Sequence, residues 1–137
     1  MNPSVVAAFK TQASGFTTCP LYWPNDLVLL PSPPSPYVWA ERVGFNSEVV
    51  SMGTPGNNLL RDDGYLRFHI LAPYGTGESQ LITIAETLAS LFRATTPGGL
   101  SGLQTLAPTP PELGAQSADG LWFGVSFTVP YFYLYFG

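Results

Sequence analysis

Gly64-Tyr65-Leu66-Arg67-Phe68-His69-Ile70-Leu71-Ala72-Pro73 alternates with a period of two. Leu66, Phe68, Ile70 and Ala72 fall on one face, and Tyr65, Arg67, His69 and Leu71 on the other, which is the pattern of a half-buried strand. Pro73 has no amide hydrogen to give a ladder, so the strand is expected to end there. Tyr74-Gly75-Thr76-Gly77 reads as a turn. Leu81, Ile84, Ala85, Leu88, Leu91 and Phe92 then recur at helical spacing over about three turns. Strand, short loop and amphipathic helix thus follow one another through Arg93, and their apolar faces need a common core.

Upstream, Asn2-Pro3 is a helix start, a capping residue followed by proline at the first helical position. Val5, Val6, Phe9 and Ala13 form an apolar stripe that Gly15 stops. Residues 19–36 hold Pro20, Pro24, Pro31, Pro33, Pro34 and Pro36, which predicts extended chain and turns, with Trp23 anchoring the segment to the core. A strand is expected over 37–45, and another, or its continuation, over 48–52. Gly53, Pro55, Gly56, Asn57 and Asn58 mark a loop over 53–63.

Downstream, Thr95-Thr96-Pro97-Gly98-Gly99 ends the helix. A short strand is expected within 100–106 and a second loop over 107–120, closed by the turn signal Asp119-Gly120. Leu121, Phe123, Val125, Phe127 and Val129 then share one face of a strand. Pro130 is expected to end that strand or to mark an edge. The expected core is Leu66, Phe68, Ile70, Leu81, Ile84, Leu88, Leu91, Phe123, Val125 and Phe127. Two helices and four to five strands, with loops between the strands, predict one α+β domain over 1–137. In it a small mixed or mainly antiparallel sheet is packed by the helices on one face.

Composition narrows the function. A protein of 14.8 kDa exposes roughly 7,000 Å². Five basic and nine acidic residues cover it, roughly one charge per 500 Å² against one per about 200 Å² at ordinary composition. So bland a surface is expected to be covered in part by other chains. The net charge is −4 and the basic residues do not cluster, which argues against phosphate tracking or an anionic membrane surface. Cys19 is the single cysteine, so synthesis in a reducing cytoplasm is the natural expectation. Neither a signal-peptide layout nor an apolar run of membrane-spanning length is present.

Each candidate for chemistry meets a plainer reading. The Gly75-Thr76-Gly77 junction lacks the third glycine of a dinucleotide loop, since Gln80 stands there, and a phosphate-loop lysine is missing. His69 is the single histidine and falls on the polar face of its strand, as a surface or interface residue would. Metal sites need three or four ligands, and His69 and Cys19 are far apart in sequence. Asp62 and Asp63 are adjacent, so in extended chain they point opposite ways, and in this Asn/Gly-rich stretch they read as turn formers. No G-x-S-x-G elbow occurs. Tyr131-Phe132-Tyr133-Leu134-Tyr135-Phe136 is apolar on both faces. Either it completes the domain's own sheet or part of it packs on a neighbouring subunit.

Several phrases in a fixed order carry a resemblance across most of the chain. They are Trp23-Pro24-Asn25 after the first helix, and Pro36-Tyr37-Val38 opening a strand. The strand over 64–73 follows, then Gly75-Thr76-Gly77-Glu78 leading to Ala85-Glu86-Thr87-Leu88-Ala89-Ser90-Leu91-Phe92-Arg93. Asp119-Gly120-Leu121-Trp122 leads to Val125-Ser126-Phe127-Thr128-Val129-Pro130-Tyr131. The chain resembles the tail terminator proteins of long-tailed bacteriophages and gene transfer agents. It departs from them in its proline-dense 31–36 segment and its longer aromatic end.

The resemblance implies a virion protein, made in the bacterial host cytoplasm, that forms a ring of six copies. The ring caps the head-proximal end of the tail tube, stops growth of the tube protein, and meets the head connector or stopper. DNA passes through the lumen without specific binding, and no membrane, metal, cofactor or catalytic site is implied. Candidate interface residues are Asp62, Asp63, Trp122, Phe132, Tyr133, Tyr135 and Phe136. The alternatives are another neck, head-completion or tail-tube protein, or a small binding module with an aromatic surface.

Overall fold

The computed structural model describes residues 2–26, 35–75, 77–116 and 122–137. The proline run 31–34, Thr76, the Asp119-Gly120 turn signal and Leu121 lie outside these residues. The order is α1 (Pro3–Ala13), β1 (Leu21–Tyr22), β2 (Tyr37–Ser51), β3 (Leu59–Pro73), α2 (Ser79–Phe92), a 3₁₀ turn (Pro97–Gly99), β4 (Leu103–Thr105), β5 (Glu112–Gln116) and β6 (Trp122–Phe136). The described strands form one sheet in the order β1-β2-β3-β6-β4, with β5 also on β6. The β1–β2 pair is parallel and the other pairs are antiparallel. The α+β class is thus the observed one, with six strands in place of the expected four to five.

The extra strand and the longer ones come from pairing that no local signal carries. Residues 59–63 are strand, not loop, because they are paired on both sides, to β2 and to the end of β6. The loop after β2 shrinks to 52–58. Asp62 and Asp63 are therefore ladder residues instead of turn formers, opposite Tyr133 and Phe132. Within the expected 107–120 loop, β5 pairs with β6 near Ser126. Pro130 neither ends β6 nor lies on an open edge. Its carbonyl accepts from the Leu106 amide, on the side away from β3. In an antiparallel ladder a residue's N–H and C=O point to the same side, so the missing proline donor removes no bond to β3.

One core lies between the sheet and both helices. Leu66, Phe68, Ile70 and Ala72 of β3 are fully buried with Val38, Ala40, Val125, Phe127 and Val129. From the helices come Val5, Phe9, Leu81, Ile84, Ala85, Leu88 and Phe92. Leu91 and Phe123 differ from expectation, being half-buried against the margin of this cluster. Leu91 stands at the edge of the helical stripe, and Phe123 lies near the start of β6, at a small cavity that it lines with Leu81 and Glu78 at the start of α2. Trp23 is buried as the anchor of its irregular segment, edge-on to Phe68 at 6.4 Å. Leu88→Ala is expected to cost about 2–5 kcal/mol, as truncation of a fully buried leucine does; denaturant melts measure it, and a near-neutral change would mean that α2 is not packed on the sheet.

Local bonds hold the helix layer. The Asn2 side chain accepts from the Ser4 amide at 2.9 Å, capping α1. Gln12 donates to the Leu91 carbonyl at 2.6 Å and accepts from the Gly98 amide at 3.2 Å, which ties α1 to the end of α2. The buried Thr105 hydroxyl donates to the Phe92 carbonyl at 2.6 Å, satisfying a helix-end acceptor that would otherwise be orphaned.

The sheet outruns this layer. β2, β3 and β6 have 15 residues each, about 50 Å if straight. The 14 residues of α2 span about 21 Å. Beyond Gly44 and Gly64, which face each other across β2 and β3, the three strands continue past β4 and the start of α1, which still flank Phe132 and Tyr133, into a ribbon with an exposed tip. Asn58 and Gly137 close its end by exchanging two backbone hydrogen bonds, at 3.0 and 3.1 Å.

Candidate interaction surfaces

The expected interface residues do not converge on one patch. Trp122 is buried, on the sheet face away from the helices, edge-on to Tyr37 at 5.2 Å. It is packing and no docking tryptophan. Tyr133 is buried too, and with Tyr131 it completes the domain's own sheet. Phe132 is half-buried beneath the Arg61 guanidinium at 4.5 Å from the ring centre, and Arg61 also pairs with Asp63 at 3.0 Å. Tyr135 is half-buried, and its hydroxyl reaches Asp62 at 3.4 Å. Of the seven, Phe136 is the one largely exposed, at 72%.

Phe136 belongs to a surface that the sequence reading missed. Val49, Val50 and Met52 at the end of β2 are 55%, 50% and 83% exposed. They share the ribbon tip with Phe136, since Val49 pairs with Leu60 and Ser51 with Leu59, while Leu59 pairs with Phe136. Four large apolar side chains on one uncovered tip form an unusual surface for so lightly charged a chain. The available signal was the run Val49-Val50-Ser51-Met52, but its exposure depended on the helices stopping short.

On the helix side of the ribbon lies a groove of about 450 Å³, lined among others by Asn2, Gly44, Asp62, Tyr131, Tyr133 and Tyr135. The three tyrosines come from alternate positions of β6 and so share a face. Tyr133 and Tyr135 stack at 5.2 Å and 14°. Asp62 accepts a short bond of 2.6 Å from the Ser47 hydroxyl. Burial, and then the Asp62 carboxylate, push the Tyr131 phenol above its ordinary value.

The face away from the helices carries a polar row across three strands. His69 sits between Glu41 on β2 (Nε2 to Oε2, 3.0 Å) and Ser126 on β6 (Nδ1 to Oγ, 2.9 Å). Trp39 stacks on the imidazole at 5.1 Å and 24°. Arg67, the next residue along that face, donates to Thr128 at 3.1 Å and pairs with Glu112 at 3.7 Å. The sequence reading left His69 without partners because Glu41 and Ser126 are distant in sequence and meet it only through strand register. The serine–imidazole–carboxylate order resembles a nucleophile set, but a nucleophilic serine also needs donors for the developing oxyanion. Ser126 lies in mid-strand with β3 on one side and β5 on the other, so the surrounding amides are directed into ladders. The geometry supports a cross-strand tie. His69→Ala is expected to cost about 0.5–1.5 kcal/mol, the net worth of a partly exposed hydrogen bond, read as a lowered urea midpoint; an unchanged midpoint would show that the row contributes nothing.

Cys19 is half-buried beside α2, and burial raises its thiol from 9.0 to about 11. The folded state therefore holds the proton more tightly than the unfolded chain does. The stability this represents is complete below about pH 9 and is lost as the pH rises toward 11. At pH 8 the thiolate population is about a hundredfold below that of an ordinary cysteine. Iodoacetamide is expected to react slower by that factor than with a cysteine peptide, and equal rates would mean that the thiol is open to solvent.

Among the described residues no helix is long and apolar enough to cross a membrane, and no group of three or more His, Cys, Asp or Glu side chains is arranged to hold a metal. No family model matches the chain. No curated protein matches it either. A solved structure whose designation names no function is similar over 100% of this chain and 99% of its own, with a TM-score of 0.67 and 20% identity. At that identity the likeness establishes a shared fold over the full length.

Proposed function

We propose that this chain is a tail terminator, a structural protein whose copies close into a six-membered ring on the head-proximal end of a phage tail tube and end its growth. The observation that carries the reading furthest is the ribbon tip, where Val49, Val50, Met52 and Phe136 stand exposed beyond the helix layer. An apolar projection on a rigid three-stranded base suits a subunit that must fit the last face of a polymer. The other surfaces agree in kind. They are stable ladders, packed aromatics and ion pairs, which suit contact better than turnover. A ring needs heterologous lateral contacts that close, and a lightly charged surface makes such contacts less costly to dehydrate. Six copies at −4 each carry −24, a balance that favours passage of DNA over its retention. The aromatic binding-module alternative loses its main anchor with the burial of Trp122.

Mixing the chain with polymerising tube protein tests the reading. Tubes are expected to stop at short lengths with one ring at one end, seen by electron microscopy. Incorporation of the chain along the tube would instead identify a tube protein. Met52→Ser together with Phe136→Ser is expected to abolish capping while leaving the melting temperature within about 2 °C, since exposed substitutions rarely change stability by more than about 0.5 kcal/mol. Capping that survives the pair would remove the tip from the contact.

A further inference from the structure

We propose that the groove beside the start of α1 receives the Lys10 ammonium of an adjoining copy of this chain, with Asp62 as its counter-charge. The proposal rests on the ring reading. Asp63, on the other face of the strand, is already paired with Arg61 at 3.0 Å. Among the described residues Asp62, on the groove side, takes only hydroxyl donors, Ser47 at 2.6 Å and Tyr135 at 3.4 Å. A carboxylate with unused acceptor capacity stands against tyrosine rings, and Gly44 adds no side chain to narrow the space. A carboxylate beside aromatic faces is the chemistry that takes up an ammonium group.

The cation follows from the chain's own charges. Arg61, Arg67 and Arg93 each pair with a carboxylate, Asp63, Glu112 and Glu86 respectively. Arg42 lies over the Trp23 ring at 5.4 Å. Lys10 is exposed in the last turn of α1 and has no acidic partner among the described residues. It lies eight positions from Asn2, which lines the groove, or about 12 Å along the helix axis. Groove and cation thus sit at opposite ends of one helix. Two complementary patches at different places on one subunit make a head-to-tail contact, and in a closed ring every groove is filled and every lysine is paired.

The test couples the two groups directly. Chains with ordinary and heavy nitrogen are mixed, assembled into rings and treated with a carbodiimide, which joins an amine to a carboxylate in contact. The expected product is a Lys10–Asp62 amide between a light and a heavy peptide, absent in Asp62→Asn. Lys10→Asp and Asp62→Lys are each expected to raise the concentration of half-assembly by about tenfold or more, as loss of an interfacial charge pair does. The double exchange is expected to restore it to within about threefold. Rings in which Lys10 couples elsewhere or not at all, or single variants that assemble like the parent, overturn the inference and leave the ring reading standing. Coupling of Asp62 to a lysine of the tube protein also overturns it. A parent chain that forms no ring, alone or on tubes, removes the ring reading itself.

Discussion

Phe68→Ala is expected to lower the free energy of unfolding by about 3–5 kcal/mol, the range for a buried phenylalanine cut to alanine. Phe68 is fully buried at the centre of β3. Its ring lies 5.3 Å from Phe127 on β6, 5.4 Å from Phe92 at the end of α2, and 6.4 Å from Trp23. One side chain therefore joins the sheet, the second helix and the irregular segment after α1, and removing it leaves a void that three separate elements cannot collapse into together. A domain of this size has about 5–15 kcal/mol in total, so the variant is expected to melt far below the parent in urea. A loss under about 1 kcal/mol would show that these aromatics repack freely.

Gly64→Val is the second large effect, and it acts through space instead of through a void. A Cβ at Gly64 would collide with the Val43 carbonyl oxygen and lie 2.7 Å from the Tyr131 hydroxyl. The first is backbone inside a ladder, so relief requires β2 and β3 to separate where the covered sheet passes into the ribbon. Overpacking of this kind costs about 1–3 kcal/mol or more, and a branched side chain belongs at the upper end. The change should reach function as well, because Tyr131 lines the groove that Asp62 serves. Loss of ring assembly is expected to exceed what the fall in stability explains, with circular dichroism reporting the fold and native mass spectrometry the ring. Equal stability and equal assembly would mean that the strands part there without cost.

Together the two variants separate the halves of the molecule. The helix-covered half supplies the packed body, and the ribbon carries the exposed apolar tip and, where it leaves the start of α1, the tyrosine groove. In the proposed ring the ribbon meets other chains, and the helix-covered half both holds the fold and presents Lys10 of α1 to the adjoining copy. That division explains why the chain combines a conventional core with a chemically bland outside.

How much of this was legible depended on whether the signal was local. The alternation of Leu66, Phe68 and Ile70 and the spacing of Leu81, Ile84 and Leu88 are set by the periods of strand and helix, so the buried faces of β3 and α2 follow from the residues alone. Asn2-Pro3 placed the first helix for the same reason. Asp62 and Asp63 were misread as turn formers because their ladder partners lie far away in the chain. Pro130 was misread as a strand end or an edge because a proline's cost depends on which side its missing donor faces. Trp122 looked like a docking group because its packing partner Tyr37 is 85 positions earlier.

By itself, then, the sequence determined the α+β class, the two helices, the face each main element buries and the scarcity of charge, all consequences of short-range periodicity and composition. Tertiary structure alone decided that three 15-residue strands run past helices less than half their length. That difference in reach exposes Val49, Val50, Met52 and Phe136, while strand register brings Glu41 and Ser126 to His69. Exposure and long-range register depend on which distant segment covers or pairs with a residue, and no local pattern carries that information.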